Sequence, residues 1–275
     1  MLPHANMFFT QSPTRQSLGR NLRFFLLCCV CFFLQTFHAS AADPPAEAPQ
    51  EEFSLGVGGS VSTSPYKNYD TQWMPWPVIN YEGKHAYIRG FNAGLKIINL
   101  PFLEFSAYAG YDGASFDSAD TSNSALRLLK DRNPSAVVGL ETRLLSPYGM
   151  LHVSGAGDVL GQSNGFSGDV GYMLPWEYGP LELIPAVGAY WNDDKYNDYY
   201  YGVSASEARK SGLGEYKGEF GFSPYLGLTL DYSITEQWDV FCKGELIFLS
   251  HPIRNSPMVG KDRTQSLSLG LSYNF

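Results

Sequence analysis

Residues 267–275 read Leu267-Ser268-Leu269-Gly270-Leu271-Ser272-Tyr273-Asn274-Phe275, with a large apolar side chain at every second position and Ser, Gly, Ser and Asn between. A strand with that period presents one greasy face and one small, polar face. It fits a wall with lipid on one side and a polar lumen on the other, and taken alone it fits a β-sandwich equally well. As an isolated edge it would be an aggregation hazard, which closing the sheet on itself removes.

The opposite end of the chain indicates the compartment. Arg15, Arg20 and Arg23 precede the apolar run 24–34, and Ala39-Ser40-Ala41-Ala42 offers a small-residue cleavage site before Asp43. That is the layout of a secretory signal peptide over residues 1–41, and the run is too short to span a membrane as a helix. Cys28 follows Leu27 and Cys31 follows Val30, so neither sits in a lipoprotein signal. Cleavage would remove Cys28, Cys29 and Cys31 and leave Cys242, so the mature chain has no internal disulfide and no cysteine-built metal cluster. It would also remove three of the 19 basic residues and none of the 27 acidic ones, making the formal charge more negative than the −8 of the whole sequence. Such an acidic exported chain is a poor nucleic-acid binder.

Residues 42–52, rich in Pro and Glu, read as a periplasmic linker with nothing to bury. From 53 to 275 the chain reads as one domain, in which short alternating segments follow one another. Leu103, Phe105, Ala107, Ala109 and Tyr111 share a face, as do Ala136, Val138, Leu140, Thr142 and Leu144. Aromatics at 15% and charges at 17% suit an all-β closed sheet, and no apolar run approaches a helical span. The connections alternate in length. Short turns at 99–101, 146–149, 177–180 and 234–237 interleave with long polar loops at 112–134, 160–165, 192–215 and 250–263. Transmembrane barrels have short periplasmic turns and longer outer loops, a parity that a sandwich has no reason to keep. Trp176 and Trp238 lie beside short turns, and Trp73, Trp76 and Trp191 beside long loops, as two aromatic girdles require.

The expected fold is therefore a closed antiparallel transmembrane β-barrel in the bacterial outer membrane. Residues 78–88 read as a hairpin turning at Glu82-Gly83-Lys84. Twelve strands result if both arms join the wall with a tight reversal near Arg89-Gly90, and ten if the hairpin belongs to the first outer loop. Twelve is the expectation. Arg89 shares parity with Tyr87 and Phe91, and a charge facing lipid is costly, so it is placed at an interface or in that reversal.

Few residues suggest chemistry. His152 and Ser154 share the lumen face of one strand and form the only local base–nucleophile pair. Polar lumen residues are expected without catalysis, and that is the reading adopted. The run 191–198, with Asp193, Asp194 and Asp198, has a calcium-loop look but lacks the glycine and closing glutamate of an EF-hand. It is read as a solvated acidic loop, with a cation bridge to lipopolysaccharide phosphates as the sharper alternative. Glu141, Asp169, Glu182, Glu219, Glu245, Arg143 and Lys243 fall on the lumen parity, where they would fill a small barrel or tune a narrow pore. The expectation is no catalytic residue, no cofactor and no metal.

Four stretches carry a resemblance. They are Tyr199-Tyr200-Tyr201-Gly202-Val203-Ser204 followed by Ser211-Gly212-Leu213; Pro65-Tyr66-Lys67-Asn68-Tyr69-Asp70; Pro77-Val78-Ile79-Asn80-Tyr81-Glu82-Gly83; and Ser256-Pro257-Met258-Val259. As an ordered set over essentially the whole mature chain, they resemble the MipA/OmpV family of outer-membrane proteins. The resemblance implies a barrel that is not an enzyme. The namesake is described as a scaffold joining a membrane-bound lytic transglycosylase to a bifunctional penicillin-binding protein in peptidoglycan synthesis. Other members are described as osmotically responsive proteins or adhesins, so an adhesin or narrow pore responding to osmotic conditions is the alternative. The implied partners are those two enzymes, outer-membrane lipid and lipopolysaccharide.

Overall fold

The computed structural model describes residues 51–275; the expected signal peptide over 1–41 and most of the expected linker over 42–52 lie outside the described residues. Twelve wall strands follow in chain order: β1 (Glu52–Ser62), β2 (Gln72–Glu82), β3 (Ala86–Arg89), β4 (Asn92–Leu100), β5 (Leu103–Asp112), β6 (Ser135–Ser146), β7 (Gly149–Asp158), β8 (Phe166–Met173, continued as Trp176–Tyr178), β9 (Leu181–Asn192), β10 (Gly221–Ser233), β11 (Trp238–Phe248) and β12 (Arg263–Asn274). The eighth strand breaks at Leu174-Pro175, yet both of its pieces pair with β9. Each strand pairs antiparallel with its sequence neighbours, and β1 also pairs with β12 from Ser54↔Asn274 to Ser62↔Ser266. The segment 267–275 is thus the closing seam, and the sheet has become a barrel.

The hairpin 78–88 decides the count as expected. Both of its arms join the wall, and the chain reverses at Gly90, whose φ of 61° is open to glycine at little cost. One tryptophan is placed differently from the girdle reading. Trp73 is 68% exposed toward lipid, but Trp76 points inward and is 4% exposed. Arg89 also points inward, buried with Tyr87, rather than sitting at an interface. β3 is only four residues long, too short for alternation to reveal which face is which.

Outward positions carry the greasy residues, among them Val57, Leu95, Val138, Leu140, Val187, Leu226, Leu267 and Leu269. Inward positions carry Ser54, Ser106, Glu141, His152, Asp169, Glu245, Ser268 and Ser272. No helix among the described residues is long and apolar enough to cross a membrane. The long loops fold as well. Helices α1 (Asp194–Tyr201), α2 (Ala205–Ser211) and α3 (His251–Arg254) stand over the outer mouth with two short 3-10 turns, Ser118–Asp120 and Leu126–Leu128.

Candidate functional site

Inside the barrel, the inward faces of β2 to β8 converge on one buried charge network. The guanidinium of Arg89 reaches three carboxylates: Glu82 at 2.9 and 3.0 Å, Glu104 at 2.9 and 3.0 Å, and Glu141 at 2.9 Å. Lys96 bonds Glu82 and lies 3.4 Å from Glu104. Arg143 Nε is 3.6 Å from Glu141. His152 places Nδ1 3.2 Å from Asp169 and Nε2 3.3 Å from Glu141. The Tyr87 hydroxyl donates to Glu141 at 2.8 Å while its ring lies 3.8 Å beneath the Arg89 guanidinium. Gly94 makes room for that ring: a Cβ there would lie 2.3 Å from Tyr87 Cζ. Across the lumen, Tyr190 donates to Glu245 at 3.2 Å and Lys243 lies 3.3 Å from the same carboxylate. Opposite charges interleave so that ions withdrawn from water find partners.

Above this network the loops build a second interior. Tyr66, Tyr69, Phe116, Leu126, Tyr196, Tyr200, Tyr201, Val203, Ile253 and Met258 form one buried apolar cluster. In α1, Tyr196 and Tyr200 are one turn apart and so share a face; Asp193 caps the helix by accepting from Tyr196 N at 2.8 Å. Ser204 and Glu207 form a capping box at the start of α2. Glu207 also accepts from Arg132 at 2.8 Å, and Arg132 donates to the carbonyls of Lys130 and Tyr199, both at 2.6 Å. Burial pushes the Glu207 carboxyl upward, but the bonds from Ser204 and Arg132 win and hold it down at about 2. Tyr66 donates to the Tyr200 carbonyl at 3.0 Å, and Ser256 to the Tyr201 carbonyl at 2.6 Å. Three of the four stretches quoted above therefore meet in this cap; the fourth, 77–83, lies on β2.

The sequence-predicted candidates sort cleanly. His152 and Ser154 both face the lumen, but the two ring nitrogens of His152 face carboxylates and the side chain is 1% exposed. In the acidic run, Asp193 caps α1 and Asp198 accepts from Gly218 N at 2.9 Å, so these acids hold the cap together. Glu141, Asp169, Glu182, Glu245, Arg143 and Lys243 do fall on inward positions of their strands. Glu219 does not: it is exposed in the connection before β10. Glu82, Glu104 and Lys96 also face the lumen, although they are not among the residues expected there. Glu104 was legible, since it alternates with Leu103 and Phe105.

A twelve-stranded barrel with this loop parity is compared naturally with other envelope proteins. The family described as MltA-interacting protein MipA matches residues 55–275. The chain belongs to that family. It is 37% identical over 224 residues to the MltA-interacting protein of Escherichia coli (strain K12), covering 82% of this chain and 90% of that one. It is 33% identical over 230 residues to the putative outer membrane protein YiaT of Escherichia coli O157:H7, covering 84% and 94%. Among solved structures, an outer membrane channel from Pseudomonas putida F1 is similar with a TM-score of 0.40 at 12% identity, covering 86% of this chain and all of that one. The protein is an outer-membrane barrel of the MipA/OmpV family, with short turns toward the periplasm and the folded cap outside.

Proposed function

We propose that this barrel is a non-enzymatic scaffold that holds a lytic transglycosylase and a bifunctional penicillin-binding protein together at the inner face of the outer membrane. The observation that carries the reading is the similarity to the MltA-interacting protein over nine-tenths of that protein's length. The interior supports it. The buried network fills the lumen with ion pairs and the aromatic cap packs over its outer mouth, which makes a rigid body and leaves function to surfaces. The surfaces that reach periplasmic enzymes are the turns at 83–85, 101–102, 147–148, 179–180 and 234–237 together with the linker 42–52. The signal peptide over residues 1–41 belongs to the same reading, as the export signal of such a protein.

Affinity capture of the detergent-extracted full chain, at native expression, is expected to recover both enzymes. Recovery of neither would overturn the proposal. A second reading, an outer adhesin, is favoured by one feature: the cap is a folded surface rather than a set of free loops. Loss of cell adhesion on replacing 193–220 by a short linker, together with recovery of neither enzyme by the intact protein, would select it instead.

A further inference from the structure

The wall of the barrel is incomplete at one place. β2 pairs with β1 along its whole length, from Glu52↔Glu82 to Ser62↔Gln72. On its other edge it pairs with β3 only at Asn80, Tyr81 and Glu82, and the last bond comes from Gly90 N to Ile79 O at 3.2 Å. Among the described residues, no strand faces the edge of β2 from Gln72 to Val78. This is the outer half of the strand, because Gln72 follows an outer loop.

The sequence treats that edge as an edge. Alternation along β2 aims the backbone groups of Ile79, and with them those of Pro77 and Pro75, toward the missing neighbour. Both prolines lack the N–H that would point there, so another strand cannot be paired by a regular ladder. A second copy or a β-strand from a partner is thereby disfavoured as the occupant. The opening has a frame. The Gly90-Phe91 reversal forms its sill. Tyr111 stands across it, with its ring 6.1 Å from Phe91. The strap that roofs it joins two outer loops through Asp70 N to Asp120 O at 3.1 Å, the Tyr69↔Thr121 bridge and Thr121 Oγ1 to the Lys67 carbonyl at 2.8 Å.

Behind the opening, the lumen changes character. Trp76, Val78 and Phe241 form a buried apolar cluster against which Met74 and Phe91 pack. Val78 is 0% exposed and Trp76 4%, and the indole Nε1 of Trp76 is a buried donor with no hydrogen-bond partner. Apolar lining with one unpartnered donor describes a site for a hydrocarbon tail carrying an acceptor at its polar junction. We infer that this gap is a lateral portal through which the acyl chain of an outer-leaflet lipid enters the lumen, displacing Phe91 and presenting its carbonyl to Trp76 Nε1. The carbonyl oxygens of Pro75 and Pro77 on the open edge favour a lipid whose junction also donates, as an acyl amide does.

The test uses the full chain in phosphatidylethanolamine vesicles doped with a long-chain acyl amide bearing a diazirine at its chain end. After irradiation, cross-links are expected on the inward residues Trp76, Val78 and Phe241, and to fall several-fold when excess unlabelled acyl amide competes. Labelling confined to the lipid-facing residues Trp73, Leu95 and Val240 would overturn the portal. Trp76→Phe, which keeps the apolar ring and removes the donor, is expected to weaken competition by the amide while heat-modifiable migration shows the barrel intact. Unchanged competition would overturn the role of the indole.

Discussion

Arg89 organises more of the interior than any other side chain, because three carboxylates from three strands converge on one guanidinium. Removing it leaves the buried Glu104 and Glu141 and the partly buried Glu82 close together, with only Lys96, Arg143 and His152 to offset them. Breaking a buried ionic cluster from one side costs about 3–5 kcal/mol. Arg89→Ala should therefore lower the urea midpoint of barrel unfolding, followed by heat-modifiable migration, whereas Glu141→Gln, which removes one charge and keeps most of the shape, should cost less. Glu207 governs the cap instead. Its carboxyl is held at about 2 in the folded state, against 4.5 for the free group. A lowered acid contributes stability that is complete above the unfolded pKa and is lost as pH falls toward the folded one. The tyrosine near-ultraviolet circular dichroism of the cap should thus fade between about pH 4.5 and pH 2, and Glu207→Gln should abolish that dependence along with the stability it measures.

At the scale of elements, legibility followed length. Long strands such as β5, β6 and β12 declare their faces by alternation, and every connection but the tight Gly90-Phe91 reversal declares its side of the membrane by length. The four-residue β3 does not, so the inward face of Arg89 is hidden even though the reversal beside it at Gly90 is legible. Trp76 was misread for a related reason: proximity to a loop says nothing about face, whereas its parity with Val78 and Asn80 does. The cap went unread because its apolar residues are scattered over four loops, each polar on average. A local signal was nonetheless present in Ser204-Ala205-Ser206-Glu207, the pattern of a capping box, and in the one-turn spacing of Tyr196 and Tyr200. The element-scale prediction concerns passage. With the charge network below and the cap above, the intact barrel in a planar bilayer should show no stepwise conductance of an open pore. Deleting 193–220 should leave it closed, because the network remains; large, stable steps in that variant would contradict the packing described.

For the whole molecule, closure and filling together define a rigid cylinder whose distinctive chemistry is turned inward. Its outer wall meets lipid, its outer end is a folded cap, and its inner end is a ring of short turns. A scaffold needs little more than a fixed body and two places to hold, which is why the resemblance legible in the loops says more about function than the alternating seam at 267–275. The seam fixes how the chain is inserted; the family fixes where its partners are sought. The most direct measurement is a bridging assay with the purified lytic transglycosylase, the purified penicillin-binding protein and the full barrel in detergent. If the barrel is the proposed scaffold, immobilised transglycosylase retains the synthase only when the barrel is present. Equal retention with and without the barrel, or none in either case, would contradict it.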